Sequence, residues 1–307
     1  MLVVDKTQVP VAELAAGFSI EATPEQITRE KSLENLLPPG TEVYVPSLPG
    51  SDPGNVVDAC ARLIAAQLKP VPHIAVRTIA DAKSLERRLR GLRSVGADRL
   101  LLIAGDSALP AGPFASTLDV LATGCLKQQG FRKIGFAGHP EGHPCVDEHD
   151  LWRALLAKLS YAEETNSKIW LNTQFTFAAP SIHLWLDQLD ARGISLPVRV
   201  GIPGPAQLRS LLSFAMKLGV ATSARALSRR PETTQLLFRQ WTPLELICEL
   251  AAYLASHPKS SLSGLHVFSF GGFAYAAGWM QSLQVTNIEN AEDAQSSGCA
   301  TDQGDVF

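Results

Sequence analysis

The chain has 307 residues, 46% of them hydrophobic, and a formal net charge of −3. That is room for one large α/β domain, and it excludes the basic field that holds nucleic-acid phosphates. Five scattered cysteines without a C-x-x-C pair argue against a disulfide framework or zinc site, and no leader-like start or apolar run of about 18 residues is present, so a cytoplasmic protein off the membrane is expected.

Eight short apolar segments follow one another, each ending in small or polar residues. The first, 17–21, ends on Glu21. The second, 42–46, runs into Ser47, and the third, 73–77, carries His73. The fourth, 99–105, leads through Ala104 and Gly105 to Asp106. The fifth, 133–138, opens into His139-Pro140-Glu141-Gly142-His143. The sixth, 169–174, ends on Gln174, with Phe175 and Phe177 just beyond. The seventh, 198–202, runs into Pro203-Gly204-Pro205, and the eighth, 265–270, ends on Phe270. Near-continuous apolar runs of this length suit strands buried on both faces.

Helical spacing fills the intervals. Val56, Ala59, Cys60, Leu63 and Ile64 form one stripe, and Leu208, Leu211, Leu212 and Ala215 another. Eight strand–helix units predict a (β/α)8 TIM barrel over residues 1–284, with an open doubly wound sheet as the rival. The interval 204–264 holds a second helical pattern around 243–256, read as an extra helix or extended loop. Residues 285–307 carry five acids and no Lys or Arg, as a flexible acidic tail would. The basic run Arg87-Arg88-Leu89-Arg90-Gly91-Leu92-Arg93 reads as the solvated face of a helix whose Leu85, Leu89 and Leu92 point inward.

In such a barrel the site lies where the carboxyl ends of the strands meet. Glu21, His73, Asp106, His139, His143 and Gln174 then face one cavity, a fair acid–base set around an organic ligand and a poor metal cage. Pro140 and Gly142 keep the two histidines off a regular helix, so the zincin arrangement is not expected. Each of these residues also has an ordinary alternative. Glu21 could pair with an arginine, Asp106 could serve a turn, Gln174 could satisfy backbone groups, the histidines could cap their loop, and Phe175 and Phe177 could be core.

Ser19-Ile20-Glu21, Pro72-His73, Ala104-Gly105-Asp106, Ala137-Gly138-His139-Pro140-Glu141-Gly142-His143-Pro144, Thr173-Gln174-Phe175 and His266-Val267-Phe268-Ser269-Phe270 occur in that order. Together, over roughly residues 15–283, they resemble the methylenetetrahydrofolate reductase family in its bacterial form, the catalytic barrel alone. The resemblance implies an FAD-binding oxidoreductase of one-carbon metabolism and methionine biosynthesis. NADH or NADPH would reduce the flavin, and the flavin would reduce methylenetetrahydrofolate, or the reaction would run in reverse. It implies Glu21 as general acid and Asp106 as electrostatic partner. Ser47, His73, Ala104, Gly105, Asp106, His139, His143, Asp150 and Lys158 would hold FAD. Glu21, Gln174, Phe177 and Phe270 would hold folate. Neither a metal, a nucleic acid nor a membrane is implied, and a homo-oligomer is compatible with it. Two departures stand out. The aromatic pair that usually follows the first glutamate is absent, and His139 stands where the family more often has tyrosine. The alternatives are hydride transfer from nicotinamide without flavin, and a non-catalytic barrel that binds folate or flavin.

Overall fold

The computed structural model describes residues 8–48, 50–217 and 240–285. Eight parallel strands close into a barrel: β1 (Ser19–Glu21), β2 (Glu42–Val45), β3 (Lys69–Ala75), β4 (Arg99–Ile103), β5 (Lys133–Gly138), β6 (Lys168–Phe175), β7 (Val198–Pro203) and β10 (Leu262–Phe268), which pairs back to β1. The predicted TIM barrel is the observed fold, and the open-sheet rival is not. A two-stranded antiparallel ribbon, β8 (Ala206–Gln207) with β9 (Gln240–Trp241), sits in the long seventh interval. The expected acidic tail lies outside the described residues.

The third strand starts four residues earlier than the sequence reading put it. Pro70 and Pro72 lie inside β3 and mask it as a strand. They share parity, so only one edge of the strand loses N–H donors. The practical consequence is that His73 sits near the end of a seven-residue strand and not at its start.

Helices wrap the outside. Those used below are α1 (Gln8–Ala15), α2 (Pro24–Arg29), α3 (Leu33–Leu36), α4 (Pro53–Ala65), α5 (Ala82–Ser94), α6 (Thr117–Ala122), α7 (Cys125–Gln128), α8 (Glu148–Thr165), α9 (Ala179–Ala191), α10 (Leu208–Lys217), α11 (Leu244–Ser256) and α12 (Phe273–Val285). The helical pattern expected around 243–256 is α11. Several starts are fixed by short acids or hydroxyls that accept orphan N–H groups. Asp52 accepts from Gly54, with Pro53 opening α4, and Asp81 accepts from Ser84 at α5. Asp147 accepts from Asp150 at α8. Leu85, Leu89 and Leu92 of α5 are buried as the leucine spacing requires.

Strand alternation sorts side chains to two faces. Val43, Ile74, Leu100, Leu102, Ile134, Phe136, Leu171, Val200 and Val267 face the helices in the main core. Tyr44, Val71, Leu101, Ile103 and Trp170 fill the barrel interior. Across it, Trp170 Nε1 donates to Tyr44 Oη at 2.8 Å. Gly135 makes room for this pair, since a Cβ there would lie 2.6 Å from the indole. The amino-terminal end is closed by charge: Glu42 pairs with Arg99 and, at 3.0 Å, with Arg199, while Asp98 binds Arg99 and Lys133.

Gly135→Ala is expected to destabilise the barrel by about 1–3 kcal/mol through overpacking against Trp170. Urea unfolding checks it, and an unchanged midpoint would show that the indole can move aside.

Candidate active site at the barrel mouth

Glu21 ends β1, with its backbone carbonyl tied by the Ser269 hydroxyl at 2.6 Å. Its inward parity is shared by Ser19, and Ser19 and Glu21 pair in register with His266 and Phe268 of β10. The Glu21 carboxylate oxygen Oε2 therefore lies between two imidazoles, 3.7 Å from His73 Nε2 and 3.9 Å from His266 Nε2. His73 is 9% exposed and His266 fully buried, while 23% of the Glu21 side chain stays open to solvent. Neither Nε2 has a hydrogen-bond partner, and nor does Asn172 Oδ1 on the inward face of β6. Three buried polar atoms left unsatisfied at one end of a barrel are costly unless something else completes them.

The second ring nitrogen of His266 is held. Its Nδ1 is 3.0 Å from Ser19 Oγ, whose hydroxyl reaches the Leu265 carbonyl at 3.3 Å. With the Ser19 hydrogen on that carbonyl, Nδ1–H donates to Ser19 and Nε2 presents its lone pair toward Glu21. The Tyr44 ring packs against His266 at 4.3 Å and against His73 at 5.9 Å, forming an apolar floor.

Burial decides the protonation states. Desolvation raises the Glu21 pKa above its ordinary value, and the His73 charge opposes it. Desolvation lowers His73 to about 4 and His266 to about 3. A proton in this cluster is therefore held better by Glu21 than by either imidazole, the state of a proton donor flanked by neutral acceptors.

One wall is aromatic. Phe268 lies edge-on to His266 at 4.9 Å and parallel to Phe270 at 5.8 Å. Phe270 stacks on Phe214 at 4.9 Å, and Phe175 closes on both Phe268 and Phe270. Phe177 is buried behind this wall against Phe175 and Trp241, and so is core. Phe268 and Phe270 remain half-buried at the mouth.

The other expected residues are placed differently. Gln174 is exposed and its Oε1 accepts from the Phe175 N–H at 3.1 Å. A bulge between Asn172 and Phe175 sets two residues, Thr173 and Gln174, against Val200 alone, and the strand alternation that would have aimed Gln174 inward is lost there. Gly201 has no Cβ because one would fall 2.6 Å from the Thr173 carbonyl. Asp106 is exposed on the loop after β4 and acts on His143, not on Glu21. Gly105 takes φ +86° to turn that loop. His139 and His143 meet edge to face at 5.5 Å on a turn, not on a helix face. His143 Nδ1 accepts from Cys145 N–H at 3.1 Å, a loop-capping role. Asp150 is exposed and paired with Arg153 at 3.0 Å. Lys158 is buried two turns on, its Nζ 5.0 Å from the Phe136 ring centre, with burial lowering its pKa to about 8.

For FAD, Ser47, His73, Ala104, Gly105, Asp106, His139 and His143 form an arc over the ends of β2 to β5. These residues are dispersed in the structure: Ser47 and His73 border one cleft, Asp106 and Asp150 face solvent, and Lys158 is buried against Phe136. Flavin chemistry therefore enters no step below. His266, Tyr44 and Asn172 are the site residues that sequence reasoning missed. Parity could have found them, because His266 precedes Phe268 by two, Tyr44 lies between outward Val43 and Val45, and Asn172 follows inward Trp170 by two.

No family model matches the chain. Solved structures similar to it include N-acetylneuraminate lyase from Fusobacterium nucleatum, at 9% identity over 89% of this chain and 72% of that one, TM-score 0.44. Others are a provisionally assigned dihydrodipicolinate synthetase from Pseudomonas aeruginosa, at 11% identity over 91% and 80%, TM-score 0.46, and a provisionally assigned phosphonomutase from Burkholderia cenocepacia J2315, at 11% identity over 94% and 100%, TM-score 0.45. At such identities the likeness is one of fold. The expected membership in the methylenetetrahydrofolate reductase family is corrected accordingly: no family model carries it, and the similar barrels reported are named as lyase, synthetase and mutase. The oxidoreductase class, the flavin-dependent folate reduction and its one-carbon-metabolism setting go with that correction, and the nicotinamide-only and non-catalytic alternatives gain no support. Among the described residues no helix is long and apolar enough to cross a membrane.

The depressed histidines make stability acid-sensitive. The unfolded chain protonates His73 and His266 near their ordinary value of 6.5, while the folded chain resists to about 4 and about 3. Stability is thus full above about pH 7 and falls as the pH drops toward 4, by up to about 1.4 kcal/mol per pH unit for each group. Glu21 acts in the opposite sense, because the folded state takes up its proton first. Urea unfolding at pH 7.5 and 5.0 measures the slope, and His266→Asn is expected to flatten it. Equal slopes in the two proteins would remove His266 from the account.

Proposed function

We propose that the barrel mouth is the active site of an acid–base enzyme acting on a small, planar, unsaturated organic molecule. Glu21 delivers the proton, and His73 and His266 hold it in place as neutral partners. The observation that carries this reading is the Glu21 carboxyl set between two buried imidazole nitrogens that have no other partner. The 3.7 and 3.9 Å separations exceed hydrogen bonds, so the acid and the imidazole nitrogens leave each other unsatisfied and a polar ligand atom lying beside them could engage both. The half-buried Phe268 and Phe270 rings offer a flat apolar face beside the acid, and such faces favour stacked π systems.

In this arrangement a protonated Glu21 donates to the carbonyl oxygen of the substrate as a neutral imidazole takes a proton from the adjacent carbon, and the enol so formed returns to the ketone when both protons go back, leaving solvent hydrogen on that carbon. The resulting carboxylate lies in a poorly solvated site, so it is driven to recover a proton, and the lone pair of His266 Nε2 orients the acid without competing for the proton.

The test is solvent hydrogen exchange. Unsaturated ketones and keto acids incubated with the protein in D2O are expected to gain deuterium at a rate that falls about 10²–10⁴-fold in Glu21→Gln, the usual worth of a positioned acid. His73→Gln is expected to lose less, since Glu21 keeps its proton. Turnover indifferent to Glu21→Gln would dismiss the proposal. Infrared titration gives a substrate-free check, through a protonated-carboxyl band that persists to higher pH than that of an ordinary glutamate and disappears in the variant.

A further inference from the structure

The solvated-face reading of the basic run holds for most of it. Arg90 pairs with Glu86, and Arg93 donates to the Ala97 carbonyl at 2.9 Å and lies over Phe131. Arg87 and Arg88 differ. Both border a cleft of about 370 Å³ between α4 and α5, which sits at the lower end of small-molecule pocket sizes. Its walls are Val56, Val57, Ile74 and Leu92, and its polar lip adds Ser47 and Ser84.

Arg88 is half-buried, and burial lowers its pKa. Its Nη1 and Nη2 donate to Thr78 Oγ1 at 3.1 Å and the Thr78 carbonyl at 3.3 Å, both neutral acceptors. Arg87 donates only to Ser84 Oγ, at 3.0 Å. Among the described residues no carboxylate pairs with either guanidinium. The cleft also contains Asp52, whose Oδ1 accepts from the Gly54 N–H at 2.9 Å at the start of α4, and Asp81 acts electrostatically on Arg87. Arg88, half-desolvated with three of its five donors free and no ion-paired carboxylate among the described residues, is the cation placed to take an oxyanion. The cleft also ends on His73, the residue whose Nε2 faces Glu21 at 3.7 Å, so it and the barrel mouth share a wall.

We propose that the α4–α5 cleft is the subsite for the oxyanion-bearing end of the substrate, a carboxylate or phosphate on an apolar stem. The apolar walls take the stem and Arg88, supported by Arg87, takes the anion. This rests on the proton-transfer reading of the mouth and adds to it the charge and polarity of the molecule bound.

Calorimetric titration with hexanoate, hexyl phosphate and hexan-1-ol tests it. The anions are expected to bind and the alcohol to bind at least about tenfold more weakly. The stronger of hexanoate and hexyl phosphate identifies the anion. Arg88→Gln is expected to weaken the anions about tenfold or more, and the exposed Arg87→Ala less. Val57→Phe, which fills the cleft and removes no charge, is expected to block all three. Glu21→Gln is expected to leave binding unchanged. No anion binding to the wild-type protein, an alcohol bound as tightly as the anions, or anion binding indifferent to both Arg88→Gln and Val57→Phe would overturn the subsite. The last result with exchange still dependent on Glu21 sinks the subsite alone. Anion binding that needs Arg88, with exchange indifferent to Glu21→Gln, sinks the proton-transfer reading and with it the assignment of the cleft to a substrate.

Discussion

The hydrogen bond from Trp170 to Tyr44 across the barrel interior is the contact on which the mouth depends. The two large rings meet at the centre because Gly135 yields its space, and together they seal the barrel below the site. Tyr44 then offers its ring to His266 and its edge to His73. Take the pair away and the histidines would have water beneath them. Their pKa values would return toward the ordinary range, and the orphaned nitrogens would be satisfied by solvent. The desolvation that raises the Glu21 pKa is thus produced one layer lower, by a pair joined inside the barrel.

The two ends of the barrel handle charge in opposite ways. At the amino-terminal end Glu42, Arg99, Arg199, Asp98 and Lys133 pair with one another, so the burial of charge is compensated within the protein. At the carboxyl-terminal end His73 Nε2, His266 Nε2 and Asn172 Oδ1 are left without hydrogen-bond partners around Glu21. The lower set is carried by β2, β4, β5 and β7 and the upper set by β1, β3, β6 and β10, so different strands of one barrel close one end and open the other. Stability explains the lower set. It does not explain the upper one, which costs the fold hydrogen bonds, and such a deficit is what a ligand site leaves behind.

Strand-by-strand alternation explains how much of this was legible in the sequence. The apolar runs placed all eight barrel strands, and Glu21 and His73 were singled out because each lies at or near a strand end. Three features defeated the reading. Pro70 and Pro72 hid the start of β3. The bulge at Thr173 and Gln174 reversed the parity on which the role of Gln174 depended. His266 was passed over as an ordinary member of an apolar strand; its parity with Phe268 points it inward, but nothing local shows that its neighbour across the register is Ser19. Pairings this distant in sequence follow only from closure of the barrel.

The motif at 137–144, which carried most of the family resemblance, has a local structural account. A Cβ on Gly138 would lie 2.7 Å from the Trp185 ring. Glu141 accepts from the Thr176 hydroxyl at 2.8 Å, Gly142 turns at φ +78°, and His143 caps Cys145. Any barrel that makes this turn between β5 and α8 under these contacts needs nearly the same residues, whatever it binds. His139 is the member with no such local duty. Burial and the nearby Lys158 and His143 hold its pKa near 4, so it stands neutral beside a buried ammonium. A neutral imidazole beside a cation can accept a proton only when a negative charge arrives close by. His139 is therefore the part of the motif whose chemistry depends on what stands beside it.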